Sequence, residues 1–174
     1  SCSLQGLPGL RNLRLRLLGE RGGVLEEGLF SYSSELTSLE LCFGHCLDSE
    51  EEGFIRNNVR QLPSIRKLRR KVEDSGALVV PTSVSSLTAL RAFHLEAAEG
   101  SLSLPEKLGS LLDLRALSII CPTLTSLPSS LRKLNSVQTL SLHSLFLVAL
   151  GFSLEGFTKL KKLEMNCPQL QDPS

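Results

Sequence analysis

The sequence predicts an α/β solenoid of about seven coils, with a parallel sheet along the concave side and loops or 3-10 turns along the convex side. Three observations lead there. Leucine supplies 39 of the 174 residues while Trp is absent and Tyr occurs once, a skew expected when one small packing unit is used repeatedly. Six apolar slots recur at fixed spacing in four successive stretches. Within each stretch the apolar period changes from three to two, as a chain does when a loose turn gives way to a short strand.

The repeats are irregular over residues 1–79 and regular over 80–174. Leu7, Leu10, Leu13 and Leu15 open the series, followed by Leu36, Leu39 and Leu41, and then by Ile55, Val59, Leu62, Ile65 and Leu68. The regular part begins with Val80-Pro81, Val84, Leu87, Leu90, Phe93 and Leu95. Leu104-Pro105, Leu108, Leu111, Leu114, Leu117 and Ile119 follow in the same spacing. The next copy is Leu127-Pro128, Leu131, Leu134, Val137, Leu140 and Leu142, and the last is Leu150-Gly151, Leu154, Phe157, Leu160, Leu163 and Met165. The central positions are therefore Leu13, Leu39, Leu68, Phe93, Leu117, Leu140 and Leu163, separated by 26, 29, 25, 24, 23 and 23 residues. These separations fall within the range of leucine-rich repeats, so the expected shape is a leucine-rich-repeat horseshoe. One coil cannot bury its leucines alone; stacking buries them in one column. The Pro after the opening apolar residue fixes φ and removes a donor where the chain turns.

The third coil breaks the pattern. Arg70 stands where the other coils carry Leu15, Leu41, Leu95, Ile119, Leu142 and Met165. A buried charge without a partner costs several kcal/mol, so Arg70 is expected outside the leucine column, on a strand that is short, shifted or open. Gly44 to Asn58, with Glu50, Glu51 and Glu52, and the stretch from Glu20 to Ser34 are expected as loops or a short helix.

The recurring Leu-Pro-x-x-Leu-x-x-Leu-x-x-Leu-x-x-Leu-x-Leu resembles plant leucine-rich repeats. Uneven unit lengths, Leu127-Pro128-Ser129-Ser130-Leu131, Cys121-Pro122-Thr123-Leu124 and the ending Asn166-Cys167-Pro168-Gln169-Leu170 look most like intracellular nucleotide-binding disease-resistance receptors. That resemblance implies a domain that recognises a pathogen product, directly or through a host protein, contacts other domains of its own chain, and helps hold the receptor off. The family's phosphate loop, Gly-x-x-x-x-Gly-Lys-Ser/Thr, is absent from these residues, so no nucleotide contact is assigned. A substrate-adaptor repeat of a ubiquitin ligase and an extracellular ligand-binding ectodomain are the alternatives. The Asn-x-Leu-x-Gly-x-Ile-Pro phrase of secreted plant receptor kinases does not occur, which places the ectodomain behind.

Binding chemistry is expected on the residues beside the strand leucines, which face the concave side. The first column is Arg14, Glu40, Arg69, His94, Ser118, Ser141 and Glu164, and the second Arg16, Cys42, Lys71, Glu96, Ile120, His143 and Asn166. The densest charge lies in Arg66, Lys67, Arg69, Arg70 and Lys71; it could bind an acidic protein patch or phosphates, and the favoured reading is a solvated strand paired with the acidic stretch at Glu50 to Glu52. Cys42-Phe43-Gly44-His45-Cys46 lacks the fourth ligand and second knuckle of structural zinc. Cys121 and Cys167 fill matching turn positions as small apolar groups. His45, His94 and His143 adjoin no nucleophile motif, so the expectation is a protein-binding module, not an enzyme, with no cofactor or metal.

A formal net charge of +1 speaks against a nucleic-acid binder held by bulk charge. The apolar run Leu145 to Leu150 is far below the ~20 residues of a membrane span. Five cysteines and no Asn-x-Ser/Thr acceptor favour a reducing, cytoplasmic setting. The chain opens partway into a repeat, without an initiator Met or signal pattern, and reads as part of a larger protein.

Overall fold

A computed structural model describes residues 7–17, 30, 34–43, 58, 62–73 and 75–171. Among the described residues nine strands form, in chain order β1 (Asn12–Leu17), β2 (Ser38–Phe43), β3 (Lys67–Val72), β4 (Leu78–Val79), β5 (Ala92–Ala97), β6 (Leu102–Ser103), β7 (Ala116–Ile120), β8 (Thr139–His143) and β9 (Lys162–Asn166). Seven make one parallel sheet in the order β1-β2-β3-β5-β7-β8-β9. Every central position stacks on the next: Leu13, Leu39, Leu68, Phe93, Leu117, Leu140 and Leu163 share one register line. The seven-coil leucine-rich-repeat solenoid is therefore the fold, with its core in the column beneath the sheet.

The convex side follows from the period-three pattern. Short 3-10 turns span Thr82–Ser86, Glu106–Ser110, Ser129–Lys133 and Leu154–Gly156. Pro81, Pro105 and Pro128 precede the first three, each with an extended ψ between 134 and 148° that turns the chain into the 3-10 segment. The last coil has no such Pro. Gly151 adopts a φ of 76° there, and the Ser153 hydroxyl accepts the Glu155 N–H at 3.2 Å. Coils touch backbone to backbone on this side: a Cβ on Gly109 would run into the Ser130 carbonyl, and one on Gly100 into that of Gly76. A small second sheet pairs β4 with β6, an element the repeat pattern did not announce.

Arg70 is the main departure from expectation. It is fully buried, and β3 is neither short nor shifted: Arg70 aligns with Leu41 on one side and Leu95 on the other. Its Nη1 donates to the Val79 carbonyl of β4 at 2.7 Å. Strand alternation explains the placement. Slipping β3 by one residue would turn Arg69 and Lys71 inward and expose Leu68 and Val72. Burying one hydrogen-bonded guanidinium is less unfavourable than burying two cations.

Apart from Phe30, Ser34 and Asn58, the two stretches expected as loops, Glu20 to Ser34 and Gly44 to Asn58, lie outside the described residues. Side-chain packing is complete in the middle of the stack and thins at β9, where Leu163 is 41% exposed because no described strand covers it.

Two stability predictions follow from this packing. Replacing Arg70 with Ala leaves a void and strips the Val79 carbonyl of its donor, and should lower unfolding stability by about 3 kcal/mol or more. Arg66→Ala, at an exposed site, should change it by less than about 0.5 kcal/mol. Urea unfolding would measure both, and equal midpoints would show that Arg70 is not a core residue. Gly109→Ala should cost about 1–3 kcal/mol through overpacking, read as a lower midpoint at unchanged slope.

Candidate functional site

The parallel register converts two sequence columns into two rows of neighbours across the concave face. Arg14, Glu40, Arg69, His94, Ser118, Ser141 and Glu164 lie side by side, and Arg16, Cys42, Lys71, Glu96, Ile120, His143 and Asn166 form the adjacent row. Adjacent strands are about 4.8 Å apart, so each side chain can reach the ones on either side. All the concave positions singled out from sequence are brought together. One behaves differently from the rest of its row: Cys42 is buried rather than exposed, and burial together with the nearby Glu40 carboxylate pushes its thiol up.

The face divides into two halves of different chemistry. Over β1 to β5, cations and carboxylates alternate from strand to strand. Arg14 meets Glu40 at 2.7 Å, and Arg69 lies between Glu40 at 3.7 Å and Glu96 at 3.0 Å. Lys71 bridges Glu96 at 3.0 Å and Glu73 at 3.7 Å, while Arg16 reaches across two strands to Glu73 at 2.9 Å. His94 Nε2 lies 3.5 Å from Glu96. Four cations thus share three carboxylates. The network is tightest around Glu96, whose side chain is 19% exposed, and opens toward Arg14, at 70%.

Over β7 and β8 the same rows carry Ser118, Ile120, Ser141 and His143, and no ion pair joins them among the described residues. Asn166 Nδ2 and His143 Nδ1 lie 3.1 Å apart, and Lys162 pairs with Glu164 at 2.8 Å at the far end. Over β7 and β8 the face carries no Lys, Arg, Asp or Glu in either row, and two of its four side chains are serines.

The pKa shifts record how far the charged half is preorganised. Burial pushes the Glu96 carboxyl up, but hydrogen bonds from Lys71, Arg69 and His94 outweigh it, leaving Glu96 below the usual carboxylate range. Burial likewise raises Glu40, and the Arg14 hydrogen bond and the Arg14 and Arg69 charges bring it below its ordinary value. Burial, and then the Arg69 charge, holds His94 below the ordinary imidazole value against the opposing pull of Glu96. The hydrogen bond to Glu96 raises Lys71.

Glu73 is the member of the concave charge network that sequence reasoning missed. It follows β3 directly, three residues beyond the Leu68-x-Arg70 frame, so the column rule does not reach it. The partners of Arg69 and Lys71 are Glu40, Glu73 and Glu96; Glu50 to Glu52, expected in that role, lie outside the described residues. The run 66–71 does not act as one patch. Arg69 and Lys71 face the concave side, Arg70 faces the core, and Arg66 and Lys67 remain at the strand's entry. Gly44, His45 and Cys46 are outside the described residues. Among the described ones, no group of three His, Cys, Asp or Glu could hold a metal, and no helix is long and apolar enough to cross a membrane. Cys121 is buried and Cys167 half-buried. Ser144 occupies the matching slot between them, its hydroxyl donating to the Leu124 carbonyl at 2.7 Å.

No protein-family profile matches the sequence, and no curated protein does. Among solved structures, the chain is similar to a leucine-rich-repeat protein of Leptospira interrogans, with a TM-score of 0.73 and 25% identity over 94% of this chain. An internalin of Listeria monocytogenes superposes over 93% of the chain at a TM-score of 0.50 and 16% identity. The plant peptide hormone receptor RGFR1, solved in complex with RGF2, superposes over 82% at 0.51 and 19%. The chain spans 39%, 56% and 28% of the lengths of those three proteins.

Acid should weaken the charged half. Glu96 and Glu40 titrate below their ordinary values when folded, so their contribution is present at neutral pH and is lost as pH falls through the folded pKa. The lowered pKa of His94 acts in the same direction, because the unfolded chain takes up that proton first. Tm should therefore begin to fall below the ordinary imidazole value of 6.5 through His94 and fall further below the ordinary carboxylate value of 4.5, and that second fall should be shallower in Glu96→Gln. An equal slope in the variant would exclude Glu96 as a linked group.

Proposed function

We propose that this solenoid is a protein-recognition module that binds its ligand across the concave sheet and catalyses no reaction. The observation that carries the reading is the pair of unbroken side-chain rows, held at strand spacing on a rigid core. Such a surface presents a fixed pattern of charge and hydrogen-bonding groups without ordering cost on binding. The charged half supplies orientation, and the neutral half, with Ser118, Ile120, Ser141 and His143, lets a ligand approach closely.

The biological setting we infer is a plant intracellular immune receptor of the nucleotide-binding type. The Leu-Pro phrase of the regular coils, the uneven coil lengths and the Cys-Pro turns support it. In that setting the ligand is a pathogen product or a host protein it alters, the module also contacts other domains of its parent chain to restrain it, and the location is cytoplasmic. A second reading, an extracellular receptor ectodomain, draws on the likeness to RGFR1 in complex with RGF2.

Affinity capture with the full parent protein tests the proposal. Ser118→Arg with Ser141→Arg should lower partner affinity at least about tenfold, equivalent to 1.4 kcal/mol. Lys107→Glu with Lys133→Glu, on the convex side, should leave it unchanged. Capture indifferent to the concave pair would refute concave binding. A ligand found among secreted peptides and absent from host cytosol and pathogen extracts would favour the ectodomain.

A further inference from the structure

One edge of the sheet carries a feature that neither concave row includes. Two positions before each central apolar residue, the chain turns into its strand, and these turns are stacked by a regular backbone ladder. The Arg11 carbonyl accepts the N–H groups of Thr37 and Ser38 at 2.9 and 3.0 Å, and the Arg66 carbonyl those of Arg91 and Ala92 at 2.8 and 2.9 Å. The Arg91 carbonyl accepts Arg115 and Ala116 at 2.8 and 2.9 Å, and the ladder continues through Gln138 to Lys161. Five of these seven stacked positions are therefore basic: Arg11, Arg66, Arg91, Arg115 and Lys161.

All five side chains are exposed, and none makes an ion pair among the described residues, in contrast to the cations of the concave rows. Glu35 and Asp113, in the same turns, do not pair with them either. Arg66, Arg91 and Arg115 directly precede three consecutive strands of the sheet, so they span about 10 Å at strand spacing. That is roughly one Debye length at 0.1 M salt, so their mutual repulsion is not screened away. Like charges kept adjacent and unneutralised in a chain of net charge +1 mark a place where a partner supplies the opposite charge.

We propose that this edge binds an extended acidic segment of a partner protein, lying across the strands' entry turns. Guanidinium forks take carboxylates in bidentate pairs, and long arginine side chains absorb the mismatch between strand spacing and peptide rise. The full stripe is roughly 29 Å long, which about nine residues of extended chain would cover. No aromatic residue is interleaved with the stripe, so it lacks the stacking platforms of a single-stranded nucleic-acid site.

The test uses the whole chain and a fluorescent oligoglutamate of about nine residues, followed by anisotropy. The wild type should bind it, and Arg66→Glu with Arg91→Glu and Arg115→Glu should weaken binding at least about tenfold. Lys107→Glu with Arg132→Glu and Lys133→Glu makes the same charge change on the convex side and should leave binding within about twofold, as a control for bulk charge. Ser118→Arg with Ser141→Arg should also leave it intact, which separates this edge from the concave site. If the reversed variant unfolds by circular dichroism, the corresponding triple Gln variant is read in its place. Absence of wild-type binding, equal losses in the edge and convex variants, or tighter binding of an oligothymidylate of matching length would overturn the proposal.

Discussion

The lateral contact between one coil and the next is what the rest of this molecule depends on. A single coil of two dozen residues cannot remove its leucines from water; two coils in parallel register cover each other's inner faces and share backbone hydrogen bonds. The register line from Leu13 to Leu163 is therefore both the hydrophobic column and the ruler that spaces everything else. Where neighbouring turns come closest, at Gly109 against Ser130 and at Gly100 against Gly76, there is no room even for a methyl group. Close approach there keeps the coils from splaying and keeps the sheet in step.

Strand alternation then distributes charge. From Arg66 into β3, five cations within six consecutive positions part into three environments: an entry turn, the concave network and the core. Arg70 is tolerated in the leucine column because the neighbouring strands pin the register on both sides and β4 offers the Val79 carbonyl. A local defect in apolar pattern is absorbed without a local defect in structure, since the ladder is set by many coils and not by one.

Once the spacing is regular, the surface becomes a set of parallel stripes with distinct chemistry. The charged concave half is internally paired, with Glu96 at its centre holding Arg69, Lys71 and His94. The neutral half over β7 and β8 holds no such ion pair among the described residues. The entry edge carries cations that make no ion pair among the described residues, Glu35 and Asp113 of the same turns included. A ligand would have to compete with existing ion pairs in the first, and would meet none in the other two. Similarity to bacterial and plant leucine-rich-repeat structures establishes the scaffold; the stripes belong to this chain's own side chains.

Much of this was legible in the sequence. The Leu-x-Leu pairs determined seven coils, their parallel strands and the central stacking positions, because a period of two on a strand and of three on a turn leaves few other ways to hide so many leucines. The two concave rows follow from the same alternation. Tertiary structure alone decided the rest. It put Arg70 inside, since register is a cooperative property of neighbouring strands. It made Glu73 a partner of Arg16, 57 residues away, and paired β4 with β6. It also lined up Arg11, Arg66, Arg91, Arg115 and Lys161 on one ladder with Thr37 and Gln138, and made neighbours of Arg66, Arg91 and Arg115, because coils of unequal length are stacked by their backbones.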